Sequence, residues 1–172
     1  MQTKVAVFSI VMTMALAGGA GATEMNRDSH VRPANPQGAA LMAEGQEKSQ
    51  TVRDLAATLD QSDLVVYVVT APRSPDAPDS AIRFVGRSKV QRFVLVQISN
   101  ETSPEQRIEL LAHELQHAVE ASRSTWVNDE STMGMLFARI GWRDAGKQRG
   151  YETTAASLTG RQARRELVAN AK

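Results

Sequence analysis

The sequence predicts an α+β fold: a small three-stranded, mainly antiparallel sheet packed on one well-marked helix, with further helices in the C-terminal half. Three observations carry this. Between positions 63 and 98 the apolar residues run in the β-branched, near-continuous manner of strands. On either side of that stretch they recur at helical spacing. The strand-like runs are joined by connections short enough for a meander.

The N-terminus is a case apart. Lys4 precedes an uncharged apolar run from Val5 to Ala17, and Ala20-Gly21-Ala22 follows as a small-x-small site. This is the layout of a secretory signal peptide over residues 1–22, and the run is short for a membrane span. Cleavage after Ala22 leaves 150 residues (172 less 22) and removes one charged side chain, taking the formal net charge from +1 to 0. A neutral chain has no bulk attraction to nucleic acid or anionic membranes. The expectation is an exported protein, periplasmic or secreted, with no stable membrane span once the signal is removed. It has no cysteine, so any transition metal must be held by histidine and carboxylate.

Residues 23–36 read as a flexible leader. Gln37 to Glu47 is Ala-rich and helical, and Ser49 caps a second helix with Val52, Leu55, Ala56 and Leu59 on one face. Strands follow at Leu64 to Val69, Ile82 to Val85 and Phe93 to Ile98. The first two are separated by a loop holding Pro72, Pro75 and Pro78. Ser103, Pro104 and Gln106 then mark a helix start with a capping box, and this helix extends to about Ser122. Asp129 caps a fourth helix carrying Met133, Leu136, Phe137 and Ile140. A last helix spans Tyr151 to Val168. Trp126 and Trp142 read as packing anchors, and Arg161, Arg164 and Arg165 as a solvated basic face.

The third helix carries His113-Glu114-Leu115-Gln116-His117, which fits the pattern HExxH. Residues i and i+4 lie one above the other on a helix, so two imidazoles can grip one metal. The intervening Glu is then placed to take a proton from metal-activated water. Chance produces this pattern in well under about one chain in a hundred of this length. Ile108, Leu111, Ala112, Leu115, Ala118 and Val119 form an apolar stripe, and His113, His117 and Glu120 project from nearly the opposite side. With the stripe on the sheet, the histidine face needs a second wall, which residues 123–172 must supply.

HELQH and the strand–helix order together resemble the zincin metallopeptidases. The small size, and the lack of an HxxGxxH continuation, are most similar to the gluzincin branch and its short minigluzincin relatives. The resemblance spans roughly residues 63–165 and implies a single domain over 37–172. It implies Zn2+ as cofactor, His113 and His117 as ligands, Glu114 as general base and a peptide or protein substrate. The expected activity is that of a zinc-dependent hydrolase. The alternative is a non-catalytic exported metal-binding or protein-interaction module on the same scaffold.

In that branch the third ligand is a Glu from a later helix. Glu152, leading the stripe Ala155, Ala156, Thr159 and Ala163, is the first candidate. Glu120 lies one turn beyond His117 and is better placed to orient that imidazole. Glu130, in Asn128-Asp129-Glu130, is the third. Tyr151 is a candidate donor to an oxyanion. His30, in the leader, has no assigned role, and Ile82 to Val85 is a candidate substrate-binding edge.

Overall fold

The computed structural model describes residues 29–75, 77–143 and 150–170. The expected signal peptide, and residues 23–28 of the expected leader, lie outside them. The chain runs β1 (Val31–Pro33), α1 (Pro36–Lys48), α2 (Gln50–Asp60), β2 (Leu64–Ala71), β3 (Ser80–Arg87), β4 (Arg92–Ser99), α3 (Pro104–Ser122), α4 (Glu130–Ile140), β5 (Trp142–Arg143), β6 (Tyr151–Glu152) and α5 (Thr154–Asn170). The fold is α+β, with a mixed four-stranded sheet ordered β1-β2-β4-β3 and a two-stranded ribbon, β5-β6.

The sheet differs from the expected three-stranded meander. β2 pairs in parallel with both β1 and β4, and only β3–β4 is antiparallel. The physical reason lies in which strands can be buried. The continuous apolar runs of β2 and β4 belong at the centre, while β3, with buried Ser80 followed by half-exposed and exposed positions, belongs at an edge. The proline loop therefore carries the chain past the β4 position, and β3 returns beside it as a hairpin. β1 falls within the stretch expected to be a flexible leader. Its Val31 is buried and registers with Val66. Pro33 is tolerated there because β1 is the other edge.

Helix starts follow their caps. Asn35, Ser49, Ser103 and Asp129 each accept a backbone N–H from the first turn of α1, α2, α3 and α4. At α3 the reciprocal bond from the Gln106 side chain is absent among the described residues. The full capping box belongs to α4, through Asp129 and Thr132. The last helix starts at Thr154 rather than Tyr151, because Thr153 Oγ1 accepts from Ala156 N at 3.1 Å and serves as its cap.

One face of the sheet, with Val66, Val68, Val94, Val96 and Ile98, joins the core built by the helices. α3 seats its expected stripe there. Ile108, Leu111, Leu115 and Val119 are essentially fully buried, each burial stabilising on the order of 1.5–3 kcal/mol. Tyr67 and Phe93 stack at 6.4 Å on the opposite face, both half-buried.

Arg92 fastens the far end of α3. Its guanidinium is nearly sealed and donates to the carbonyls of Ala121, Ser122, Ser124 and Val127, and bidentately to Asp63. Those are acceptors of a helix C-terminus and the loop after it, where the carbonyls of Ala121 and Ser124 also accept from Ser124 N and Val127 N. The two tryptophans are not buried anchors: Trp126 is 42% and Trp142 50% exposed.

Candidate metal centre

α3 presents His113 and His117 one turn apart, with ring centroids 4.8 Å from each other and planes at 79°. The second wall comes from the C-terminal half. Phe137 of α4 meets the His117 ring edge-on at a centroid distance of 4.9 Å. α5 lies along α3 through its small buried residues Ala156, Gly160 and Ala163. A Cβ on Gly160 would stand 3.1 Å from Glu109 O and 3.4 Å from His113 Cβ, so the helices approach closely at the first histidine. The small face differs from the expected one, since Ala155 is exposed and Gly160 takes part.

Glu152 reaches the histidines from a different local structure than the sequence suggests. It does not open a helix. It sits on β6, opposite Trp142 of β5. Gly141 makes the ribbon possible, because any Cβ there would run into the Glu152 carbonyl. From β6 the carboxylate comes to 3.4 Å from His113 Nε2, by Oε2. Ligand-type atoms of His113, His117 and Glu152 all lie within 4.8 Å of one another. Donors about 2.0–2.2 Å from a tetrahedral zinc stand roughly 3.3–3.6 Å apart. The His113–Glu152 pair meets that spacing, and side-chain torsions can close the remainder. Two imidazoles and a carboxylate are a fitting donor set in a chain without cysteine.

The surroundings are acidic. His117 is 3% exposed, and burial alone would lower its pKa. The hydrogen bond with Glu120 and the negative charge of Glu114, Glu120 and Glu152 outweigh burial and hold the pKa above the usual histidine value. Among the described residues, neither Glu114 nor Glu120 pairs with Arg or Lys. Glu120 Oε2 lies 2.9 Å from His117 Nδ1, and Glu120 Oε1 accepts from Thr153 Oγ1 at 2.7 Å. A carboxylate at Nδ1 fixes the proton there and leaves the Nε2 lone pair for a ligand role. Thr153 thus does two things, capping α5 and orienting Glu120.

Glu114 is buried, and its Oε1 accepts from Ser80 Oγ at 2.6 Å. The other sequence candidates fall elsewhere. Glu130 Oε2 accepts from Phe84 N at 2.7 Å, tying α4 to the sheet edge rather than to the imidazoles. The Tyr151 ring packs against the hydrophobic core, and none of the site's hydrogen bonds among the described residues uses its hydroxyl. His30 stays on the β1 side, its backbone N–H donating to Asp60 Oδ1 at 2.7 Å. Ser80 and Thr153 carry no sequence signal, because each acts across more than thirty positions. Comparison with known protein families, with curated proteins and with solved structures found no match for this chain.

Proposed function

We propose that this chain is a zinc-dependent hydrolase of the zincin type, cleaving peptide bonds. The observation that carries the reading is the convergence of Glu152 on His113 and His117, with Glu114 on the same helix between them. His113, His117 and Glu152 hold the metal. Zinc supplies a Lewis acid and a water of lowered pKa at neutral pH. Glu114 takes a proton from the attacking water and returns it to the leaving nitrogen. Glu120 keeps the His117 ring in its tautomer, and Thr153 keeps Glu120 in place. The substrate is a peptide or protein rather than a nucleic acid, and the chain works after export, in a periplasm or outside the cell. No helix of the described residues is long and apolar enough to cross a membrane.

The test is hydrolysis of a mixed peptide library by the zinc-supplemented chain and by its Glu114→Gln variant. The wild type cleaves, and the variant loses roughly 10²–10⁴-fold while keeping its metal. A second reading, a non-catalytic metal-binding module, has one observation in its favour: Glu114 and His117 are each only 3% exposed. Equal silence of the wild type and Glu114→Gln, both metal-loaded, selects that reading.

A further inference from the structure

We infer that Ser80 is a positioning residue for Glu114, dividing its carboxylate into an anchored oxygen and a working oxygen. This rests on the hydrolase reading of the same site. The contact joins two elements 34 positions apart, the first residue of the edge strand β3 and the metal-site helix α3. At 2.6 Å between buried partners it has the length of a charge-assisted O–H···O⁻ bond.

The donor is held by the sheet. Ser80 registers with Ile98, and the carbonyl of the preceding Asp79 accepts from Ser99 N at 2.7 Å. Ser80 Oγ therefore meets α3 at a place set by the β3–β4 ladder rather than by the proline loop before it. On the acceptor side the two oxygens of Glu114 differ. Oε1 takes the Ser80 bond, while Oε2 has no hydrogen-bond partner among the described residues. Oε2 thus keeps its lone pairs for a proton.

The terminal torsion of a glutamate is broad and two-fold, so a single hydrogen bond at one oxygen decides where the other points. Ser80 keeps its own proton throughout and enters no covalent step. Its contribution is orientational: it keeps Oε2 facing the water it deprotonates, where a displacement of about 1 Å costs on the order of 10²-fold in rate.

The experiment compares zinc-loaded wild type with Ser80→Ala, Ser80→Cys and Ser80→Thr. Ser80→Ala lowers kcat roughly 10- to 100-fold with KM and zinc stoichiometry unchanged. Ser80→Cys, close in shape but a poor donor, behaves like Ser80→Ala and covers the case in which the alanine variant misfolds. Ser80→Thr, which keeps the hydroxyl, restores most of kcat. In a Glu114→Gln background, Ser80→Ala has no further effect on the residual rate. A second readout needs neither zinc nor turnover: in the metal-free chain, the Tm shifts of Ser80→Ala and Glu114→Gln fail to add. Additive shifts overturn the inference. So does wild-type kcat in both Ser80→Ala and Ser80→Cys, or a loss carried by KM. An inert wild type overturns the hydrolase reading and this inference with it, so the two failures are distinguishable.

Discussion

Glu166 ties α5 to the start of α2, and removing its charge has a calculable consequence. One carboxylate oxygen accepts from Ser49 Oγ at 2.7 Å and from Thr51 N at 3.1 Å, and the other from Thr51 Oγ1 at 2.7 Å. Burial opposes ionisation, but the hydrogen bonds of Ser49 and Thr51 outweigh it and lower the Glu166 pKa from 4.5 to about 2. In a sealed site that difference corresponds to about 3 kcal/mol of folding stability at pH 7. The carboxylate is in contact with water, which screens the effect and leaves about 1 kcal/mol. The folded-state pKa lies below the unfolded one, so this stability is complete above pH 4.5 and is lost as pH falls toward 2. Glu166→Gln therefore lowers Tm by roughly 2–4 °C at pH 7. By pH 3 roughly three-fifths of the difference is gone. Thermal melts of both proteins at pH 7, 5, 4 and 3, followed by circular dichroism, provide the comparison. A difference that does not shrink with acidification, or no difference at pH 7, rules out Glu166 as a charged tie between α5 and α2.

The same logic applies at other contacts. Arg92→Ala removes a charged donor from the carbonyls around the end of α3 and the partner of half-exposed Asp63, costing about 3 kcal/mol, seen as a Tm drop of roughly 10 °C. Because the Arg92 hydrogen bond lowers the Asp63 pKa, the gap between wild type and variant narrows as pH falls below about 4. An unchanged melting curve, or a gap independent of pH, argues against Arg92 as the cap of α3. Glu120→Ala frees the His117 ring, and on the proposed reading it weakens zinc binding roughly 10- to 100-fold in a chelator competition titration. Wild-type affinity in that variant leaves Glu120 with no part in orienting the ligand.

How far the sequence could be read depended on the range of the physical signal. The α3 helix is legible because its cap, its proline and its apolar period are all local, and the two histidines need nothing beyond helical spacing. α2 and α4 announce themselves in the same way through Ser49 and Asp129. The sheet is less legible, because apolar alternation reports a strand's faces and not its partner. Leu64–Ala71 could be recognised as a strand without any indication that Arg92–Ser99 lies beside it in parallel. β1 is three residues long, below any period, and owes its place to pairing with Val66 and its neighbours. Sequence spacing puts Glu152 at the head of a helix. In the structure Gly141 lets β5 and β6 meet and Thr153 takes the cap, so the carboxylate stands beside His113 on a strand. Ser80 and Arg92 were invisible in the sequence, because an isolated serine or arginine shows no trace of a partner about thirty residues away in chain order.

On the proposed reading His113, His117 and Glu152 together hold a metal ion. Its most direct test is the metal content of residues 23–172 purified without chelator, together with the X-ray absorption spectrum of the bound ion, repeated for Glu152→Ala. The expected result is one zinc per chain, with two imidazole nitrogens and carboxylate oxygen about 2.0–2.2 Å from it, and loss of that zinc in the variant. A wild-type chain that binds no zinc contradicts it, as does a Glu152→Ala chain that retains zinc with an unchanged spectrum.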